Sequence, residues 1–433
     1  MTPIGIGFLM MAILLILIAL GVTVSTSMGI TGIVGLLVML STDATFIKVG
    51  TLPFNQLAAY TFAVVPMFML MANIISTTGI GARLYDVFYK SIGRARGGLA
   101  MASILACGVF AAISASTIAT VVTIGLIAYP EMKRSGYKDT LSTASIAAGG
   151  CLGCYIPPSS ILMYYGLITD QSISKLFAAG IIPGLILIVI YIIVIFIICR
   201  VDPQAGPKGQ KYTLREIWDA LKKCLDVIIL IVLVIGGMFA GWFTPTEAGA
   251  VGACGAIVIT LVRRTLTKKA FIDGVFSALK ASGMIYAITI GSAILNNFMA
   301  LTNITTAIKS VFDATHMSPN MVIVSFVAIL LVLGCFLDGM SMLFLTMPVM
   351  YPIAMSYGFN PIWFGVIMTV CVEMAVITPP VGVNLYATRT LSDKIRMRDI
   401  FVGIWPFVVG QLILVAILLY VPNLATMLPD LLY

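Results

Sequence analysis

The sequence predicts an all-α, multi-pass membrane protein built as an inverted-topology repeat, with two re-entrant helical hairpins and two broken helices. Three observations lead there. The chain is 60% hydrophobic and 10% charged over 433 residues, with a mean hydropathy of +1.10, more apolar than a water-soluble domain tolerates. Its 25 Lys and Arg residues cluster in short stretches between apolar runs, a pattern that orients membrane helices rather than binding a polyanion, so nucleic acid is not an expected partner. Finally, two Pro-Pro breaks lie inside apolar segments, "CYIPPSSILMYYG" (154–166) and "VITPPVGVNLYAT" (376–388).

A span of ~30 Å of hydrocarbon takes about 20 apolar residues. Residues 4–24 form the first span, and they have neither a basic n-region nor a small-residue cleavage site, so they read as retained rather than as a signal peptide. Basic stretches at 83–96, 133–138, 200–223, 263–280 and 389–398 belong inside. Spans 4–24, 29–40 and 54–75 then run in, out and in. Residues 99–129 lie between two basic stretches, so a single crossing would put one of them on the wrong side. A hairpin that enters and leaves by the inner face resolves this, with its polar tip at 114–117. The broken segment 140–168 runs out and 176–199 runs in, followed by a surface helix at 214–223. Spans 227–241, 248–262 and 284–301 run out, in and out. A second hairpin, with its tip at 337–341, is flanked by the nearly uncharged 302–319 and 356–361 and opens outward. Broken segment 362–391 runs in and 401–421 runs out, leaving both termini outside. Trp218, Trp242, Trp363 and Trp405 fall near span ends as interfacial anchors.

The halves match in order at an offset of 222 to 226: "GVF" at Gly108 with "GCF" at Gly334, "IPP" at Ile156 with "TPP" at Thr378, and "AAGIIPG" at Ala178 with "FVGIWPF" at Phe401. Equivalent segments run in opposite directions, an arrangement found in secondary transporters. Domain boundaries follow: 1–78 and 201–304 as scaffold, 79–200 and 305–433 as the two halves of a transport core.

Proline lacks an N–H, so in a helix Pro157 and Pro158 would free the carbonyls of Gly153 and Cys154, and Pro379 and Pro380 those of Ala375 and Val376. Bared carbonyls are costly in hydrocarbon but serve as ligands for a hard cation. Past each break a half-helix N-terminus, at Ser159 or Gly382, offers N–H groups to an anion. The hairpin tips add Ser114, Ser116, Thr117 and Thr120 on one side and Asp338 and Ser341 on the other. Two pseudo-symmetric cation sites are therefore expected, each from one tip and one break. An anionic solute would sit between them, with Ser159, Ser160, Thr120, Gly382 and Asn384 as its candidate ligands. An intramembrane carboxylate such as Asp338 must pair or bind an ion.

Other features read as structural. Cys151 and Cys154 form a CxxC, but with His316 the one histidine and no second Cys pair nearby, no metal or redox site is expected. "FTPTEAGA" (243–250) has the pattern of a capping box, with Thr244 as N-cap, Pro245 first in the helix and Glu247 three residues after the cap. Glu373 has two readings, a proton relay or a carboxylate bonded to neighbouring helices.

Four long motifs, "GGCLGCYIPPSSILMYYGLITDQSISKLFAAGIIPGL", "GWFTPTEAGAVGA", "GCFLDGMSMLFLTMPVMYPI" and "EMAVITPPVGVNLYA", cover much of the chain in order. They resemble the large membrane subunit of TRAP transporters, the tripartite ATP-independent periplasmic family. The resemblance implies a sodium-coupled elevator in a bacterial inner membrane. It also implies a separate small membrane subunit, a periplasmic substrate-binding protein, organic-acid substrates and no cofactor. It carries one sodium site onto the first tip with Gly153, Ile156 and Pro158, and the other onto Asp338 with Thr378 and Val381. Gly339 departs from the proline expected after the aspartate. Arg389 stands nine residues past Pro380, ~14 Å along a helix, leaving hydroxyls and helix N-termini to hold the acid. A self-sufficient sodium/dicarboxylate exchanger is the alternative. A membrane enzyme would need a nucleophile with its base or a metal cluster, and a channel would need both hairpins open together.

Overall fold

The computed structural model describes residues 2–114 and 116–433. Among them the chain is helical throughout, without β-strands and with one isolated bridge, Arg96 to Lys208. Five helices are long and apolar enough to cross a bilayer singly: Ile173–Val201, Pro245–Val262, Lys268–Thr302, Gly339–Ser356 and Met397–Tyr420. A sixth candidate is a bent pair, and the other apolar helices are shorter.

The repeat extends through the whole chain. Apart from Val64–Ser76, each α-helix of the first half recurs, start to start, 221 to 226 residues later. Pro3–Ala19 and Val24–Met39 return as Leu225–Phe239 and Pro245–Val262, and Ile80–Ile92 returns as Ile304–Ala314. The hairpin Gly98–Ser114 with Thr117–Arg134 returns as Pro319–Gly334 with Gly339–Ser356. Asp139–Cys151, Ser160–Thr169 and Ile173–Val201 return as Pro361–Ala375, Val383–Arg389 and Met397–Tyr420.

Contacts between the halves are themselves symmetric. Val24–Met39 packs along Lys268–Thr302, and Val64–Ser76 along Pro245–Val262, two interfaces that are mates of each other. The first is close because Gly32 and Gly35 face it: a Cβ on Gly32 would stand 2.8 Å from the Leu295 nitrogen, and one on Gly35 2.5 Å from the Phe298 ring. Small residues are what allow apolar helices to approach this closely. In the core, Asp139–Cys151 packs on Met397–Tyr420, and its mate Pro361–Ala375 on Ile173–Val201.

The basic stretches, far apart in sequence, meet on one face. Arg96 bridges to Lys208, Lys138 pairs with Asp202, and Tyr137 Oη donates to Pro207 O (3.0 Å). Asp226 pairs with both Arg83 and Arg263, and these two arginines also donate to Lys223 O. The ends of the first hairpin are on this face, where Leu99 N donates to Tyr137 Oη (3.2 Å). The ends of the second are tied to the sparsely charged connections, with Tyr357 Oη donating to Asp313 (2.6 Å). The hairpins therefore open on opposite faces, as the loop charges predict.

Several boundaries differ from the sequence reading. The predicted span 54–75 is two helices, Thr42–Leu57 and Tyr60–Ser76, bent by 58°. Its mate, Lys268–Thr302, is one continuous helix of 35 residues that takes in much of the expected basic loop 263–280 and overruns the predicted 284–301. Hydropathy windows stop at charges, whereas the backbone hydrogen-bond ladder does not. The stretch 83–96 is mostly an amphipathic helix, Ile80–Ile92, which buries Ile80, Leu84, Tyr85 and Val87. The first span stops at Ala19, before Gly21 with φ +85°. The predicted outer loop 302–319 holds the helix Ile304–Ala314, and a terminal helix, Asn423–Leu432, was not anticipated.

Candidate functional site

Each hairpin tip packs on the break of its own half. Ala115 in the first tip lies outside the described residues. Around it, Ser116 caps Thr117–Arg134 by accepting from Ala119 N (3.3 Å). Ser114 Oγ donates to Ser116 O (3.0 Å), and Thr120 Oγ1 bonds both Ser114 Oγ (3.2 Å) and Ser116 O (2.8 Å). Gly153 faces this tip: a Cβ there would lie 3.7 Å from Ala111 and 3.9 Å from both Ser116 C and Thr120 Oγ1. Ser114, Ser116, Thr120 and Gly153 are thus brought together, with Thr117 beginning the second arm and its carbonyl facing Gly150.

The break itself is a 3₁₀ turn, Leu152–Cys154, then a cis Pro157-Pro158 peptide, then Ser160–Thr169. Tyr155 N and Ile156 N both bond Leu152 O (3.2 and 3.3 Å). Among the described residues no donor reaches the carbonyls of Gly153, Ile156 or Pro158. Cys154 O differs from the expectation, because it accepts the Ser159 hydroxyl. That hydroxyl also accepts from Leu162 N (3.2 Å) as N-cap, so it serves the break as well as the helix behind it.

In the second half Asp338 caps Gly339–Ser356, its Oδ2 accepting from Ser341 N (3.2 Å), while the residue remains exposed. Gly339 packs on Val372 and Val376, and Cys335 Sγ reaches Pro379 O at 4.0 Å. Here the expectation that Ala375 and Val376 carry free carbonyls is corrected. Ala375 O accepts from Thr378 N and Val376 O from Asn384 N, both at 3.2 Å. The chain curls after Ala375, so a donor three residues on replaces the one proline lacks. The carbonyls of Ile377, Thr378, Pro380 and Val381 have no donor among the described residues, and Val381 is exposed. Gly382, at φ +51°, makes the turn into Val383–Arg389.

The candidate solute ligands are placed less openly. Thr120, Ser159 and Asn384 are fully or almost fully buried and bonded internally, and Ser160 is 7% exposed, with its hydroxyl 3.8 Å from Cys154 Sγ. Open space lies elsewhere, in a cleft of ≈ 610 Å³ lined by Gln56, Tyr60, Gln171, Ser172, Thr246 and Asn296. A second cleft of ≈ 370 Å³ shares Ile168 and Asn296 with it. Both are lined by residues of the two halves together. The sequence reading missed this lining, for which "LNNF" (295–298), a paired amide in an apolar run, was the available signal. Glu247 completes the capping box with Thr244, accepting from Thr244 N (2.8 Å), the structural role expected for it.

Oppositely directed hairpins, each closing on a broken helix, define a membrane transport protein of inverted-repeat type. The comparisons with known proteins agree. The family described as "Tripartite ATP-independent periplasmic transporter, DctM component" matches residues 11–424. The C4-dicarboxylate TRAP transporter large permease protein DctM of Pseudomonas aeruginosa is 34% identical over 86% of this chain and 86% of its own length. That of Vibrio cholerae is 32% identical over 95% of each chain. Among solved structures, the YdaH transporter of Alcanivorax borkumensis aligns with a TM-score of 0.62 at 13% identity, covering 96% of this chain and 98% of its own, a likeness of fold. The chain belongs to the DctM component family of tripartite ATP-independent periplasmic transporters, as a transport protein rather than an enzyme.

Proposed function

We propose that this chain is the sodium-coupled large permease of an organic-acid importer in a bacterial inner membrane. Substrate reaches it from a periplasmic binding protein, and a separate small membrane subunit braces its scaffold. The observation that carries this reading is the pairing of each polar hairpin tip with a break that leaves carbonyls unbonded, at Gly153, Ile156 and Pro158 and again at Thr378. Sodium held there, by the first tip and by Asp338, Ser341, Thr378 and Val381, would fix both half-helix N-termini toward one solute. The core 79–200 with 305–433 then moves as an elevator against the scaffold 1–78 with 201–304. Three relatives at 30–34% identity are named for C4-dicarboxylates, one at 30% for isethionate, and those named for sialic acid stand at 28%. A C4-dicarboxylate is accordingly the substrate class we favour.

Proteoliposomes test the coupling. A sodium gradient should drive uptake only when the binding protein and small subunit are both supplied. Uptake driven equally well by a proton gradient in sodium-free buffer would overturn it. Uptake without any soluble component would instead favour the self-sufficient exchanger.

A further inference from the structure

Cys151 and Glu373 are 222 residues apart, and Cys151 Sγ lies 3.4 Å from Glu373 O. That separation equals the offset between the two Pro-Pro breaks, so the two residues are repeat mates in contact with each other. Mates can touch only at the pseudo-two-fold axis, where the two broken segments cross. At this point the repeat is chemically asymmetric, with a thiol on one side and a carboxylate on the other.

Around the Cys151 sulfur the structure gathers polar side chains, several of whose atoms lack partners among the described residues. Asn384 Nδ2 stands 3.6 Å from it. Gln411 reaches both Cys151 and Tyr191, and the Glu373 carboxyl faces the thiols of Cys151 and Cys154. Glu373 is 2% exposed and Asn384 and Gln411 are 0% exposed. Even so, Glu373 Oε2, Asn384 Oδ1 and both amide atoms of Gln411 have no hydrogen-bond partner among the described residues, nor do the hydroxyls of Tyr155 and Tyr191. No Lys, Arg or His is among the groups that face the carboxyl. A buried carboxylate demands a counter-charge, and buried amide and hydroxyl oxygens demand a donor or a cation.

We propose that this axial cluster binds one monovalent hard cation of sodium's class, held by oxygens of Glu373, Asn384 and Gln411 with the Tyr191 hydroxyl beside them. Oxygen donors suit a hard cation. One carboxylate balances a single positive charge, and a divalent ion would leave an excess charge in the apolar core. Among the described residues no three His, Cys, Asp or Glu side chains form a metal-holding group, which disfavours a soft or transition metal. The site adjoins the first tip, since Asn384 Nδ2 and the Thr117 carbonyl both lie beside Gly150, but it uses none of the tip's hydroxyls. Its position gives it a role the tips do not have, since an ion on the axis joins the two broken segments to each other.

Equilibrium ²²Na⁺ binding to the purified transporter complex measures this directly. Glu373→Gln should lose one equivalent of sodium relative to wild type, and Asp338→Asn a different one, with the double variant losing both. If Glu373→Gln keeps the wild-type equivalents, the cluster holds a proton and the inference fails. If that variant does not elute as a folded species on gel filtration, Gln411→Leu keeps the carboxylate and should weaken one equivalent by about tenfold or more. Unchanged affinity there also overturns the site. Loss of sodium in Asp338→Asn alone would remove the axial site and leave the proposed coupling intact, whereas a wild-type complex that binds no sodium would remove both.

Discussion

Asp338 caps a helix and is also the charged candidate in the second tip, and two substitutions separate these roles. Asn caps as well as Asp does, whereas Ala forfeits about 1 kcal/mol of cap stabilisation. Asp338→Asn should therefore keep the wild-type melting temperature while weakening sodium activation of uptake by roughly tenfold, ~1.4 kcal/mol. Asp338→Ala should lose both. Normal sodium dependence in the Asn variant would show that the side chain is only a cap. Ser159 is a comparable case, since its hydroxyl both caps Ser160–Thr169 and occupies Cys154 O. Ser159→Ala should destabilise the break and lower uptake, read as reduced transport with the binding protein still docking at wild-type affinity.

At the scale of elements, close helix approach and helix breaks do different work. Gly35 lets Val24–Met39 lie on the Phe298 ring. A larger side chain there must push the helices apart, and overpacking of this kind costs about 1–3 kcal/mol. Gly35→Leu should lower the thermal stability of the scaffold without altering sodium affinity, as measured by fluorescence-detected gel filtration after heating and by ²²Na⁺ binding. A variant as stable as wild type would mean that the interface yields. The 58° bend between Thr42–Leu57 and Tyr60–Ser76 has no counterpart in the continuous Lys268–Thr302, so these repeat mates are not interchangeable. The residues at the bend line the larger cleft.

For the whole molecule the clefts between the two halves are where the proposed sliding of 79–200 with 305–433 can be tested. If the core slides, joining Gln171 to Asn296 across the cleft should stop it. In a background with the exposed Cys254 replaced by Ser, Gln171→Cys with Asn296→Cys treated with a bifunctional maleimide should lose uptake, and each single variant should retain it. Uptake that survives complete cross-linking would refute a sliding core. The gathered basic stretches make a second statement at this scale. A cysteine placed at Ser135, beside Lys133 and Arg134, should label with an impermeant maleimide only from the inner side, and one at Ser356 only from the outer side.

The sequence alone determined the membrane class, the repeat, the hairpins and the position of both breaks, because hydropathy, loop charge and proline chemistry are local and survive without a partner. It also located the tips, and Gly153 as a residue that faces the first of them. The bent scaffold pair, the helix through 268–302 and the helical character of 80–92 were not legible, since charge within a helix looks like a loop until tertiary packing shows which face is buried. Only the fold decided which freed carbonyls stay free: Cys154, Ala375 and Val376 lose theirs to Ser159, Thr378 and Asn384, donors that a turn brings into range. The fold likewise decided that Cys151 and Glu373 meet on the axis, because two segments 222 residues apart touch only when both halves are packed as one body.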